Sequence, residues 1–143
     1  SDVEEYHDGI NQWIDEFPSK NLHRPFTLKL ARDEWVGTSS NQSFDGVYTA
    51  NTAHIMLEYE IQSLMQSVAA HLPKNGVFCQ YGPFIVDGKF SSQSNQDFHE
   101  KLLLNGRGGY RDIDQLASWA PQLVLSSNVN MPANNMMLVW QAK

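Results

Sequence analysis

The fold is decided by residues 44–81. Phe44-Asp45-Gly46-Val47-Tyr48-Thr49-Ala50 comes first, then Ile61, Leu64, Met65, Val68 and Leu72, then Val77-Phe78-Cys79-Gln80-Tyr81. The first run reads as a strand. The middle residues recur at three- and four-residue steps and share one helix face, which Pro73-Lys74-Asn75-Gly76 brings to an end. The last run is almost continuously apolar, as expected of a strand covered on both faces. Strand, helix and strand in this succession form a βαβ unit. Its strands are expected to be parallel and its crossover right-handed.

Upstream, Val3, Tyr6, Ile10, Trp13, Ile14 and Phe17 line one face of an amphipathic helix that Pro18 stops. Ser1 or Asp2 could cap its start. Phe26-Thr27-Leu28-Lys29-Leu30 alternates with period two and reads as a short strand, and Thr38 to Ser43 as a polar loop. Downstream, a polar insertion from Gly82 to about Ser94 leads to a helix over Asn95–Leu104, with Phe98 and Leu102 on one face. Gly106-Arg107-Gly108-Gly109 is a loop, and Asp112–Ala120 a second short helix with Ile113, Leu116 and Ala117 inward. Leu123-Val124-Leu125 and Met136-Met137-Leu138-Val139-Trp140, separated by Met131-Pro132-Ala133, are expected to pair as a terminal antiparallel hairpin.

Composition narrows the class of protein. With 143 residues, 41% of them hydrophobic, the chain suits one domain with a core. Only 18% are charged, which excludes a highly charged disordered chain. The net charge of -6 argues against broad binding to nucleic acid or anionic lipid, since phosphates attract Lys and Arg. Cys79 is the single cysteine, so no intramolecular disulfide or multi-cysteine zinc site can form. No apolar run reaches the roughly 20 residues a membrane span needs. The acidic start Ser1-Asp2-Val3-Glu4-Glu5 does not read as a signal peptide. A cytoplasmic chain without membrane contact is expected. His23 and His99 have no second ligand at metal spacing, so no metal site is expected.

From Phe44 onward the sequence resembles the small family related to methyltransferase-like protein 26, a group of class I S-adenosylmethionine-dependent methyltransferase-like proteins. The runs that carry the resemblance are Ala50-Asn51-Thr52-Ala53-His54-Ile55, Tyr81-Gly82-Pro83-Phe84 with Gly88-Lys89, and Gln93-Ser94-Asn95 with Asp97-Phe98. Arg111-Asp112 and Met131-Pro132-Ala133-Asn134-Asn135 complete them, in family order. Ser1-Asp2-Val3 looks like the family's acidic segment after its second strand. The resemblance implies an α/β fold: a Rossmann-like class I methyltransferase sheet lacking its first strands, with a C-terminal antiparallel hairpin. It also implies S-adenosylmethionine as cofactor.

Two departures qualify it. A class I methyltransferase opens with a strand, a Gly-rich turn and a helix, and glycine there lets the backbone approach the cofactor. These residues contain no such turn, so the chain is expected to be either a fragment or a naturally reduced domain, weak or inactive alone. The second departure is Lys29, which stands where the family has an acid facing the adenine. A cation cannot accept the adenine amino hydrogen. Either the alignment shifts there, Asp33 replaces the acid, or cofactor affinity is reduced.

Site candidates follow from strand ends, because ligands of open α/β sheets sit beyond the carboxyl ends of the strands. Asn51, Thr52 and His54 follow the first strand of the βαβ unit and would face the methyl donor or its acceptor. Equally, Asn51 and Thr52 could cap the turn into the helix. A neutral His54 could act as general base, and Tyr81, on the same rim, could share the acceptor's proton. The resemblance offers Asp2 as the ribose-binding acid, with an exposed helix cap as the plainer alternative. It places Lys89, Gln93, Asn95, Arg111 and Asn134 on the substrate side, where loop and turn hydrogen bonding explains them equally well. Cys79 reads as a buried, inert thiol, and Met136-Met137 beside Trp140 as core filling.

The expected activity is methyl transfer to an unidentified small-molecule or protein acceptor. The alternative is a non-catalytic binding or assembly module. Its exposed strand edges invite a homodimer, or a strand rearranged into the gap. A hydrolase on the same scaffold is a third class, but no nucleophile–base motif supports it.

Overall fold

The computed structural model describes residues 3–30 and 44–143. The chain divides into two compact units, 1–35 and 36–143.

In the first unit a 3-10 turn, Glu4–Tyr6, leads into α1, His7–Glu16. The predicted helix is present, but of its apolar stripe only Ile14 is buried, while Trp13 and Phe17 stack at 5.7 Å and stay exposed. Arg24 ties the following segment back to α1 by pairing with Asp15 and donating to the carbonyl of Asn11 at 3.1 Å. The expected strand over Phe26–Leu30 is corrected: Thr27 alone makes a single bridge, and its neighbours are irregular. Five alternating residues specify which sides would face where, but a strand exists only with a ladder partner along its length. The caps proposed at Ser1 and Asp2 and the loop at Thr38–Ser43 lie outside the described residues.

The second unit is built on a four-stranded sheet, β1 (Gly46–Ala50), β2 (Val77–Gly82), β3 (Leu123–Met131) and β4 (Asn135–Ala142), in the order β1-β2-β4-β3. β1 and β2 are parallel, with Gly46 opposite Val77 and Ala50 opposite Tyr81, as the βαβ reading requires. Their connection is α2, Glu58–His71, whose predicted inward residues Ile61, Leu64, Met65 and Val68 are all buried. Leu57 precedes the helix, and its N–H is accepted by the Glu60 carboxylate at 2.8 Å, which satisfies one of the orphan donors of a helix start. Lys74-Asn75-Gly76 turns the chain, with Asn75 in the left-handed region at φ 67°.

β4 pairs antiparallel with both β2 and β3. The terminal hairpin is therefore as expected, but β3 continues six residues beyond Leu125, to Met131. A bulge at Ser126, whose hydroxyl donates to the Val139 carbonyl at 3.1 Å, resets the register. Beyond it the strand is mostly polar and exposed, so no apolar alternation marks it.

β2 departs from the two-sided apolar strand. Phe78, Gln80 and Gly82 are buried while Val77, Cys79 and Tyr81 are half-buried. The polar residue on the buried side is sustained by Trp140, whose indole N–H donates to Gln80 Oε1 at 2.8 Å. α3 (Gln93–Leu104) and α4 (Ile113–Trp119) complete the unit. Asp112 caps α4 through the Asp114 N–H, and its second oxygen accepts the Gly88 N–H at 2.8 Å. The polar insertion is further fixed where Ile85 donates to the Arg111 carbonyl and accepts from the Ile113 N–H.

Candidate functional site

The parallel strands β1 and β2 end side by side, and their last residues form a rim. Asn51 lies one step past β1, yet its N–H still donates to the Tyr81 carbonyl at 2.8 Å. The backbone there turns sharply, with Asn51 at φ 55°, a conformation asparagine tolerates better than most residues. The Thr52 carbonyl then accepts the N–H groups of Ile55 and Met56 and closes one isolated turn. This is not the start of α2, which is capped five residues later at Leu57. The Thr52 hydroxyl is buried without a partner.

That turn brings His54 inward. Its side chain is 6% exposed, and Nδ1 is buried with no hydrogen-bond partner. Burial holds its imidazole below the ordinary 6.5, so it is neutral at pH 7. The rings of Phe98 and Tyr110 lie at 6.1 and 5.9 Å in edge-to-face arrangements and form its apolar wall.

Opposite stands Gly82, the last residue of β2, at φ 156°. A Cβ built there would lie 3.8 Å from both His54 Nδ1 and Asn51 Oδ1. Two polar atoms thus border Gly82 at ordinary contact distance from where a side chain would begin, and one of them, His54 Nδ1, has no partner.

The turn is held from behind by residues 108–111. The Gly109 N–H donates to the His54 carbonyl at 3.1 Å, and the Arg111 guanidinium donates to the Met56 carbonyl at 3.3 Å. A side chain on Gly108 would run into that same Met56 carbonyl. Tyr110 donates its N–H to His99 Nδ1 at 2.9 Å, so His99 carries its proton on Nε2. Burial, and secondarily the charge of Arg111, lower the His99 pKa.

The remaining candidates divide. Tyr81 sits on the rim, with its hydroxyl accepting from Asn135 Nδ2 at 3.2 Å. Asn95 is buried and donates to Ser91 Oγ at 2.8 Å and to the Asn134 carbonyl at 3.1 Å, so Asn95 and Asn134 are brought together at the hairpin tip. Arg111 braces the His54 turn. Lys89 lies on an exposed tight turn, where its backbone pairs with Val86, and Gln93 bonds Asp97 along the surface of α3 at 2.8 Å. Asp2 and Asp33 lie outside the described residues. Gly108, Phe98 and Tyr110 complete the surroundings without having been singled out as site residues, whereas Asn135, a turn or rim candidate beside Asn134, does both, donating to Tyr81 and to the Pro132 carbonyl. The one visible hint was the glycine pair at 108–109.

A half-parallel sheet with a terminal antiparallel hairpin, and a site at the carboxyl ends of its parallel strands, is the Rossmann-like fold of class I methyltransferases. Three solved structures share it. An O-methyltransferase family 2 protein from Planctomyces limnophilus, in complex with apigenin, superposes with a TM-score of 0.81 at 10% identity, covering 99% of this chain and 41% of its own. An O-methyltransferase family protein from Burkholderia thailandensis gives 0.76 at 15% identity, covering 99% and 42%. Human N-acetylserotonin methyltransferase, in complex with SAM, gives 0.70 at 10%, covering 99% and 39%. The chain thus spans about two fifths of the length of these neighbours. Residues 1–142 match DUF938, a family of proteins of unknown function, and the chain belongs to that family. Among the described residues no helix is long and apolar enough to cross a membrane.

Proposed function

We propose that residues 1–143 form the acceptor side of an S-adenosylmethionine-dependent methyltransferase, with kinship to the methyltransferase-like protein 26 group. The observation that carries this is His54: a buried, neutral imidazole whose orphaned Nδ1 borders Gly82, where two parallel strands end together. Bound S-adenosylmethionine would supply an electrophilic methyl group. The chain's own residues do the rest. Asn51 Oδ1 and His54 Nδ1 receive the acceptor's O–H or N–H, and His54 takes that proton as the methyl bond forms. Phe98 and Tyr110 keep water from the imidazole. Tyr81, oriented by Asn135, fixes one wall of the approach, since methyl transfer depends on alignment more than on reactive groups. The unpartnered Thr52 hydroxyl fits a polar ligand group at the same rim. Thr52 adjoins the methyl donor in this reading, and Asp2 its ribose.

Isothermal titration with S-adenosylmethionine tests the division of labour. Residues 1–143 alone are expected to bind more weakly than about 1 μM. Micromolar or tighter binding would place the whole donor site within these residues.

Exposed, stacked Trp13 and Phe17 favour a second reading, an assembly surface. Sedimentation at high protein concentration separates the two: a stable dimer supports assembly, and a monomer removes it.

A further inference from the structure

Tyr110 lies against two imidazoles. Its ring centroid is 5.9 Å from that of His54 and 5.9 Å from that of His99, edge-to-face with each. The backbone beside it joins the same two residues. The Gly109 N–H donates to the His54 carbonyl at 3.1 Å, and the next N–H, that of Tyr110, donates to His99 Nδ1 at 2.9 Å. Two successive amides thus tie the His54 turn to α3.

The His99 ring is fitted to that backbone. A Cβ on Gly109 would lie 2.8 Å from His99 Nδ1 and 2.9 Å from Cε1, so only glycine, at φ 73°, lets the imidazole come this close. From the insertion, Phe90 meets the ring at a centroid distance of 5.1 Å. The charges acting on His99 are Arg111, which opposes its protonation, and Glu100 on its own helix, which favours it. The Tyr110 phenol is pushed up by burial and stays neutral through the acid and neutral range. An imidazole accepts at Nδ1 only while that nitrogen carries no proton, and in the imidazolium both nitrogens donate. A protonated His99 would turn an N–H toward the Tyr110 N–H. That amide would lose its acceptor, and the Gly109 amide, one residue away, the anchor that aligns it.

We infer that His99 is a positioning residue for His54: through the backbone of Gly109 and Tyr110 it holds the His54 turn in place while its Nδ1 is bare, and releases it on taking up a proton. The inference rests on the methyl-transfer reading for what His54 does, but not for its test. His99 itself touches no substrate in it.

The test uses the full protein labelled with carbon-13 and nitrogen-15, without any methyl donor, titrated from pH 8 to 5. As the His99 ring titrates, the Tyr110 amide proton is expected to move upfield. The Gly109 amide should exchange about three- to tenfold faster relative to its intrinsic rate. In His99→Asn the side-chain oxygen stands near the place of Nδ1 and cannot titrate, so both signals should keep their pH 8 behaviour. His99→Phe keeps a flat ring without an acceptor. Its Gly109 amide should exchange at the fast level at every pH, with the His54 ring signals displaced. In His54→Gln, which removes the other titrating ring, the Tyr110 amide should still follow His99. A Tyr110 amide that keeps its shift while His99 titrates overturns the assignment. So does a His99 ring that never titrates in the folded protein, or parent-like Gly109 protection in His99→Phe at pH 8. If His99→Phe does not fold, the parent titration and His99→Asn decide. A separate S-adenosylmethionine titration of the full protein tests the methyl-transfer reading. Failure there with the amides following His99 sinks that reading alone, and the converse sinks this one alone.

Discussion

Trp140 and Gln80 are diagonal neighbours on adjacent antiparallel strands, both essentially fully buried, and joined by one indole-to-amide hydrogen bond of 2.8 Å. The bond partners the oxygen of the only polar side chain on the buried side of β2. Gln80 Nε2 has no partner, so the oxygen is the one end of the amide that is bonded. Trp140→Phe therefore leaves a wholly unsatisfied buried amide and a small void. A loss of about 2–4 kcal/mol is expected, read as a lower urea midpoint. Adding Gln80→Leu removes the stranded amide and should restore about 1 kcal/mol or more. No recovery would mean that the cost lies in the void.

Gly108 and Gly106 make a second pair. Both lie in the loop after α3, but a Cβ on Gly108 meets backbone at Met56, whereas Gly106, at φ 71°, has open space around it. Gly106→Ala is expected to cost about 1 kcal/mol through its backbone conformation alone. Gly108→Ala should cost about 3 kcal/mol or more, since a carbonyl on a braced turn must move. Thermal unfolding of the two variants checks the order.

His54→Gln keeps a polar group of similar reach but provides no base. Methyl transfer by the full protein is expected to fall by about 10²–10⁴-fold, with a smaller change in KM. In the parent protein the rate should rise with pH as His54 loses its proton, and level off by neutrality, because burial lowers its pKa from 6.5. A rate still climbing above pH 7 would assign the proton to another group.

Stability should follow pH in the same direction. His54 and His99 both have folded pKa values below 6.5, so the unfolded chain takes up their protons first as pH falls. Their contribution is complete above about pH 6.5 and is lost as pH drops toward the lowered folded values. Urea midpoints measured from pH 8 to 5 should decline across the lower half of that range. His99→Asn should flatten part of the decline.

Much of this was readable from local order in the chain. Ile61, Leu64, Met65 and Val68 announce α2 because helix burial repeats every three to four residues, and the strands flanking it fix a parallel pair. Other features depend on distance in the sequence. His54 stands out as a strand-end residue, but its burial is made by Phe98 and Tyr110, more than forty residues downstream. Gly108 is required by Met56, which no local pattern records. The polar half of β3 is a strand because β4 pairs with it, not because its residues alternate. Phe26–Leu30 is the reverse case, an alternation without a ladder.

The two orientations meeting on the central strands have a kinetic consequence. β3 and β4 are joined by a turn at residues 132–134 and pair locally, so they can zip within microseconds. β1 and β2 cannot meet until the whole α2 crossover has closed, a costlier search through chain conformations. The rim that carries His54 is thus the late-assembling end of the sheet. In pulsed hydrogen exchange, amides of the hairpin should gain protection before the Asn51 amide does.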